Sequence, residues 1–126
     1  VGAGAVYSPI GYQVPDTPDL ALVGQNSALQ LSPQHEPIED LIQRIAEDYK
    51  VSPSLMLRIA RCESGLRPSA IGDFNNSFGL WQIHLPSHPQ ITKEQALSAL
   101  WSTKWSAEKI ANGKAYMWTC FKNMLK

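Results

Sequence analysis

The stretch that decides the fold is SPSLMLRIARCESG, residues 52–65, which carries the signals of a whole amphipathic helix. Ser52 followed by Pro53 predicts its start, because a serine side chain caps a first turn and proline suits the first helical position. Apolar residues then recur at helical spacing, and Gly65 predicts the end of the helix. The helix therefore closes on a carboxylate, Glu63, that shares a face with apolar side chains.

Glu63 is a candidate acid because of where it lies, in line with Met56 and Ala60 at the carboxyl end of the helix. Apolar surroundings and the negative end of the helix dipole both disfavour an ionised carboxylate, so we expect its pKa to be raised. Arg61 and Arg67 would oppose this if either guanidinium folded toward it. A carboxylic acid that stays protonated near neutral pH can protonate a glycosidic oxygen. The alternative is a surface glutamate at a helix end.

A glycine-aromatic patch, FGLWQI at residues 78–83, lies further along the chain. Because Gly79 has no side chain, a polymer could approach the backbone there. Trp81 offers a flat face to a sugar ring, and Gln82 offers a donor and an acceptor. The alternative is that the apolar residues of the patch are core, which we expect of at least two of three: Leu80, Trp81 and Ile83.

The rest of the chain divides into a tail and a mainly helical domain. Residues 1–35 are broken by glycine and proline and nearly lack charge, which predicts a linker, a pro-segment or a strap. Residues 36–126 form the predicted domain. Further helices are expected over 37–50, from a capping box at Thr92, over 101–112 and over 114–125. The Pro-, Gly- and Asn-rich segment 66–90 predicts loops with a short hairpin around residues 73–76.

Composition excludes some partner classes. The chain has 126 residues and no formal net charge, so we expect one domain and no nucleic-acid partner. No apolar run is long enough to span a membrane. From Trp101 onward, five lysines stand against a single acid, Glu108. We interpret this as a solvated basic face, with weak steering toward an anionic polymer as the alternative.

Cysteines and histidines give two further expectations. Cys62 and Cys120 are compatible with one disulfide, which would close a loop of roughly 60 residues and imply an oxidising, extracytoplasmic location. The alternative is two buried free thiols. His84 and His88 are four residues apart, but Pro86 breaks a regular helix there and no third ligand is evident, so no metal site is predicted.

Two motifs resemble those of a known family. Glu63-Ser64, followed by Gly79-Leu80-Trp81-Gln82-Ile83, resembles the Glu-Ser and Gly-Leu-x-Gln motifs of the lysozyme-like superfamily, in particular of soluble lytic transglycosylase (SLT) domains. Residues 107–113 resemble the later helix of those domains. The resemblance covers about residues 37–125. The Cys-Glu-Ser run is also similar to that of resuscitation-promoting factors, which point to the same substrate.

The resemblance implies a mainly α, lysozyme-like fold cut by a substrate cleft, with Glu63 as the single catalytic acid/base. The substrate would be peptidoglycan, cut at the β-1,4 bond between N-acetylmuramic acid and N-acetylglucosamine, leaving a 1,6-anhydro product. We expect no cofactor and no metal, and a monomer whose partner is the peptidoglycan glycan strand. The location would be extracytoplasmic: secreted, periplasmic, in the cell envelope or in a phage virion.

The residues then expected to bind substrate are Ser64, Gly79, Leu80, Trp81, Gln82, His84 and Tyr116. Ser64 is either structural or a helper that hydrogen-bonds near Glu63. His84 directly follows the patch, and Tyr116 is the nearest candidate for a cleft tyrosine that the family often carries. One of three further tryptophans could be a sugar platform, while the others are core: Trp101, Trp105 and Trp118.

The second carboxylate separates two reaction outcomes, because glycosidases commonly use two. Animal-type lysozymes carry an Asp two residues before the cleft glycine, and here that position is Ser77. Asp73 could orient a water in an inverting hydrolase, but we expect it to shape a turn with Asn75 and Asn76. We therefore predict a lytic transglycosylase. The rivals are a hydrolytic muramidase and a non-catalytic glycan-binding envelope module.

Overall fold

The structure is a computed structural model that describes residues 36–125; the predicted tail, residues 1–35, and Lys126 lie outside the described residues. Within this range the fold is mainly helical, with one small antiparallel sheet, as predicted. The helices are α1 (Ile38–Asp48), α2 (Pro53–Ser64), α3 (Lys93–Leu97), α4 (Ala99–Ala111) and α5 (Thr119–Met124). The strands are β1 (Ile71–Gly72), β2 (Ser77–Phe78) and β3 (Ile83–His84), and the 3₁₀ turns are Leu85–Ser87 and Ala115–Met117.

Helix α2 begins and ends where its sequence predicts. The Ser52 side chain accepts a hydrogen bond from the backbone N–H of Leu55, and Pro53 occupies the first helical position. At the other end Gly65 is left-handed, with φ of 64°, and its N–H donates to the carbonyl of Arg61. These two caps fix the helix length, so that Glu63 lies one residue before the helix end.

The predicted hairpin is confirmed and extends to three strands. β1 pairs antiparallel with β2 through Ile71 and Phe78, and β2 pairs with β3 through Ser77 and His84. The turn between β1 and β2 contains three consecutive left-handed residues, at Asp73, Phe74 and Asn75, with φ of 54°, 55° and 66°.

The second half of the domain follows the prediction except at the last helix. Thr92 and Gln95 form the expected capping box at α3, and α4 begins at Ala99, two residues before the predicted start. The predicted helix over 114–125 is interrupted at Trp118, which is extended (φ −98°, ψ 125°) between a 3₁₀ turn and α5. The interruption buries the Trp118 indole, whose Nε1 donates to the Trp81 carbonyl at 2.9 Å.

Trp81 lies at the centre of the core. Its side chain is fully buried and its indole Nε1 donates a 2.9 Å hydrogen bond to Thr103 Oγ1 on α4. The Trp118 ring meets it edge-on at 6.2 Å. Around this pair, the core contains apolar side chains from α1, α2, the sheet and the turn between β2 and β3, including Leu41, Ile42, Ile45, Met56, Ile59, Leu80 and Ile83.

A disulfide joins α2 to α5, as predicted. Cys62 and Cys120 are bonded, with 6.0 Å between their Cα atoms and a separation of 58 in sequence. None of the helices between residues 36 and 125 is both long and apolar enough to cross a membrane.

Candidate active site

One face of the domain carries an open cleft of about 600 Å³. Its walls come from the end of α2, the sheet and the 3₁₀ turn after it, α4 and the start of α5. The residues that line it are Glu63, Asp73, Ser77, Gln82, Ile83, His84, Ser87, His88, Trp105, Met117, Trp118 and Thr119. Its lining combines charged, polar and aromatic side chains.

Glu63 enters the cleft from the end of α2 and is half-buried there. Burial raises the pKa of its carboxyl, and a hydrogen bond from the backbone N–H of Cys120 to Oε2, at 3.3 Å, partly opposes the rise. The predicted direction is therefore confirmed. The two nearby arginines are engaged elsewhere: Arg61 pairs with Glu39 at 3.5 Å, and Arg67 Nε donates to the Ser64 carbonyl at 2.9 Å.

A chain of three polar side chains forms another part of the cleft wall. His84 Nε2 lies 3.1 Å from Asp73 Oδ2, and His84 Nδ1 lies 2.8 Å from Ser87 Oγ. Asp73 thus holds the β1–β2 turn to β3 through its carboxylate. Asp73 lies in the predicted turn, but its carboxylate pairs with His84 and also lines the cleft.

Gln82 lines the cleft, but its amide nitrogen is engaged within the protein. Nε2 donates to the carbonyls of Ala70 and Gly79, at 3.2 and 2.9 Å. These two bonds use both of its N–H groups, so only the side-chain oxygen is left to accept a bond from a ligand. Gln82 therefore holds the loop in shape, and the sequence-based expectation of a free donor is wrong.

Four of the residues expected to bind substrate lie in the interior instead. Trp81 and Leu80 are fully buried, so neither offers a surface to a sugar ring. Ser64 is 3% exposed and donates to the Ala60 carbonyl as a helix-end hydroxyl. Gly79 is required by packing: a Cβ there would lie 2.0 Å from the carbonyl oxygen of Ala96.

Tyr116, the remaining candidate, is 58% exposed and lies outside the residues that line the cleft. Of the seven predicted substrate-binding residues, the structure thus brings Gln82 and His84 to the cleft beside Glu63. Of the three tryptophans considered as platforms, Trp105 is the one that is half-buried and lines the cleft.

Sequence reasoning missed the contribution of residues 117–119, since a continuous helix was expected there. Met117 and Thr119 reach the cleft because the chain is extended at Trp118. The segment carries no proline or glycine that would have predicted the interruption. Ser87 and His88 were also missed as cleft residues, although the two prolines that flank them did predict an irregular segment.

This geometry supports proton transfer by one half-buried carboxyl group at the side of an open groove. Within residues 36–125, no group of three histidine, cysteine or acidic side chains is arranged to hold a metal ion. Glu63 and Asp73 are the two carboxylates among the described residues that line the cleft. They differ in environment, because Asp73 is paired with a histidine whereas the pKa of Glu63 is raised by burial.

Comparison with known proteins identifies the family of the chain. No curated protein and no solved structure matched the chain significantly. The family model described as "Transglycosylase SLT domain" matches residues 40–124, a range that includes α2 with Glu63, the sheet and the cleft segments of α4 and α5. This match spans most of the chain, and the protein therefore belongs to the transglycosylase SLT domain family, a lysozyme-like family of lytic transglycosylase type that cleaves peptidoglycan.

Proposed function

We propose that this protein is a lytic transglycosylase that cuts the β-1,4 bond between N-acetylmuramic acid and N-acetylglucosamine, with Glu63 as its acid/base. The observation that carries the proposal is the half-buried Glu63 carboxyl in the cleft, whose pKa is raised by burial. Such a group is still protonated at a pH where exposed glutamates are ionised, as a general acid requires.

In the first step, the Glu63 carboxyl gives its proton to the glycosidic oxygen as the bond from that oxygen to C1 of the muramyl sugar breaks. The acetamido oxygen of the same sugar attacks C1 and takes the place of a second carboxylate. In the second step, the Glu63 carboxylate removes the proton of the muramyl 6-hydroxyl, and O6 attacks C1. The acetamido group is released, and Glu63 is protonated again for the next cycle.

The hydrogen bond from Cys120 suits both halves of this cycle. A backbone N–H that faces Oε2 stabilises the carboxylate formed after the first step, while burial keeps the carboxyl protonated before it. The disulfide between Cys62 and Cys120 supports action in an oxidising, extracytoplasmic compartment.

A muramidase is the second candidate, and the position of Asp73 favours it. Asp73 lines the same cleft as Glu63 and could orient a water for direct attack on C1. Its contact with His84 argues for a structural role, since a carboxylate bound to a histidine is less free to polarise water. The two candidates make different products.

Purified peptidoglycan digested with the wild type, Glu63→Gln and Asp73→Asn, and read by mass spectrometry, distinguishes them. We expect 1,6-anhydro-muropeptides from the wild type and from Asp73→Asn, and none from Glu63→Gln. Products one water heavier, lost in Asp73→Asn, would make the protein a muramidase. Binding of glycan by all three proteins without any product would make it a binding module.

A further inference from the structure

Lys109 places a positive charge against a tryptophan that lines the cleft. Its Nζ lies 5.5 Å from the centre of the Trp105 ring, and Trp105 lines the cleft. Because the two residues are four positions apart on α4, their side chains lie on the same face of the helix. The ammonium group is therefore held next to the surface that a ligand would contact.

The Trp105 ring has a fixed position. Trp101 stacks against it with 6.4 Å between centroids and 15° between planes, and Trp118 meets it edge-on at 6.2 Å. The ring of His88, which follows the 3₁₀ turn Leu85–Ser87, packs edge-on against Trp105 with 5.2 Å between centroids. A ring held by three neighbours presents its remaining surface to the cleft with little loss of conformational freedom on binding.

Lys109 makes no ion pair within residues 36–125. Two of the acids in this range have other partners, Glu39 with Arg61 and Asp73 with His84. Glu108 precedes Lys109 directly on α4, and consecutive helical residues do not face each other. The charge of Lys109 also acts on His88. Burial is the main cause that lowers the pKa of His88, and the charges of Lys109 and His84 lower it further.

We propose that Trp105 and Lys109 form a subsite for a sugar that carries a carboxylate. The sugar ring contacts the part of Trp105 that lines the cleft, and its carboxylate pairs with the Lys109 ammonium. The inference rests on the proposed function, because the muramyl sugar of peptidoglycan carries a lactyl group. That group either ends in a free carboxylate or bears a peptide stem that supplies carboxylates further out.

Lys109 differs in exposure from other lysines in the basic segment that begins at Trp101. Lys104 and Lys114 are exposed, as expected of a solvated face, whereas Lys109 is half-buried against a cleft aromatic. A charge with no acidic partner in a partly buried position gains more from a ligand carboxylate than an exposed lysine does. This difference makes Lys104→Gln, on the same helix, the matched control for Lys109→Gln.

Binding is measured in the Glu63→Gln background, which prevents turnover, with three oligosaccharides of equal length. The first is a chitin oligosaccharide, which has no carboxylate. The second is a glycan strand freed of its stems by an amidase, which exposes the lactyl carboxylate. The third is the same strand with its stems. Titration calorimetry gives Kd for each, with Lys109→Gln, Lys109→Arg and Lys104→Gln.

We expect Lys109→Gln to raise Kd about fivefold for the carboxylate-bearing strands and to leave chitin binding unchanged. Lys109→Arg and Lys104→Gln should bind like the parent, and high salt should reduce the difference. An effect on the stripped strand assigns the contact to the lactyl carboxylate, and one confined to the intact strand assigns it to the stem.

An equal loss for all three ligands would mean that Lys109 only supports Trp105, and this would overturn the proposal. No change for any ligand would overturn it as well, while leaving the proposed function intact. If the parent binds none of the three ligands and the wild type cleaves no peptidoglycan, the proposed function itself fails.

Discussion

The backbone N–H of Cys120 donates a hydrogen bond to Glu63 Oε2 at 3.3 Å, while the sulfur of Cys120 is bonded to the residue that precedes Glu63. The covalent bridge and the hydrogen bond thus run between the same two elements, α2 and α5. The position of the candidate acid therefore depends on how α5 packs against α2. This relationship links the stability of the domain to its chemistry.

Removal of the disulfide should lower stability and activity together. For a sequence separation of 58, the chain-entropy relation gives a loss of about 4 kcal/mol in the free energy of unfolding. For a domain of this size we expect a fall in Tm of roughly 15 °C or more. Thermal unfolding with and without reductant measures this, and the Cys62→Ala, Cys120→Ala double variant is the control. That variant should not respond to reductant, and a wild-type Tm that ignores reductant would contradict the prediction.

The pH dependence of stability should change when Glu63 is made neutral. Because burial raises the folded-state pKa of Glu63, its contribution to stability is full below the unfolded pKa and is lost as the pH rises through the folded pKa. Glu63→Gln keeps an oxygen for the Cys120 N–H and carries no charge. We expect this variant to be more stable than the wild type at neutral pH and equally stable below about pH 4. Tm measured from pH 3 to 8 tests this, and a constant difference across the range would refute it.

The pH dependence of activity should also follow Glu63, with the protonated form of its carboxyl group as the active form. If the protonated form of Glu63 starts the reaction, kcat/KM falls as the pH rises above its raised pKa. Glu63→Gln should lose at least about a thousandfold in rate, because the amide cannot donate the proton. A pH–rate profile on soluble glycan strands measures both. An alkaline limb that is unchanged in His84→Gln and in His88→Gln would assign that limb to Glu63 rather than to either cleft histidine.

Sequence signals within a few residues predicted the helices that are bounded by capping residues or glycine. Helix α2 begins at Ser52 and Pro53 and stops at Gly65, because capping and left-handed glycine are decided within a few residues. The interruption at Trp118 was not predictable in this way. It depends on Trp118 reaching the carbonyl of Trp81, which lies 37 residues earlier in the chain.

The candidate site was predicted in part, for a related reason. Glu63 was found because its place on a helix face and at a helix end determines its environment. Gly79 and Trp81 were expected at the cleft because a glycine and a tryptophan in such a patch suit ligand contact as well as core packing. In the structure Gly79 lies against the Ala96 backbone, and the buried Trp81 donates a hydrogen bond to Thr103.

Substitution of Gly79 should therefore act on folding. Gly79→Ala places a Cβ 2.0 Å from the Ala96 carbonyl oxygen at a φ of +84°, so we expect a loss of at least about 3 kcal/mol. Gly113→Ala is the matched control, since its φ is +79° and nothing lies within 4 Å of the added Cβ; here we expect about 1 kcal/mol. Urea unfolding of both variants measures the difference. Equal stability of the two, with glycan binding lost only in Gly79→Ala, would restore the reading of Gly79 as a ligand contact.

The hydrogen bond between Trp81 Nε1 and Thr103 Oγ1 should be the polar interaction on which the core depends. Thr103→Val leaves a buried indole N–H without a partner, which we expect to cost about 2 kcal/mol. Trp81→Phe removes the donor and leaves a cavity, at about 3 kcal/mol. Since each single change already breaks the bond, the double variant should lose about 1 kcal/mol less than the sum of the two. Urea unfolding of the four proteins in the cycle gives this coupling. If the losses in stability of the two single variants simply add, the hydrogen bond contributes nothing to stability beyond packing.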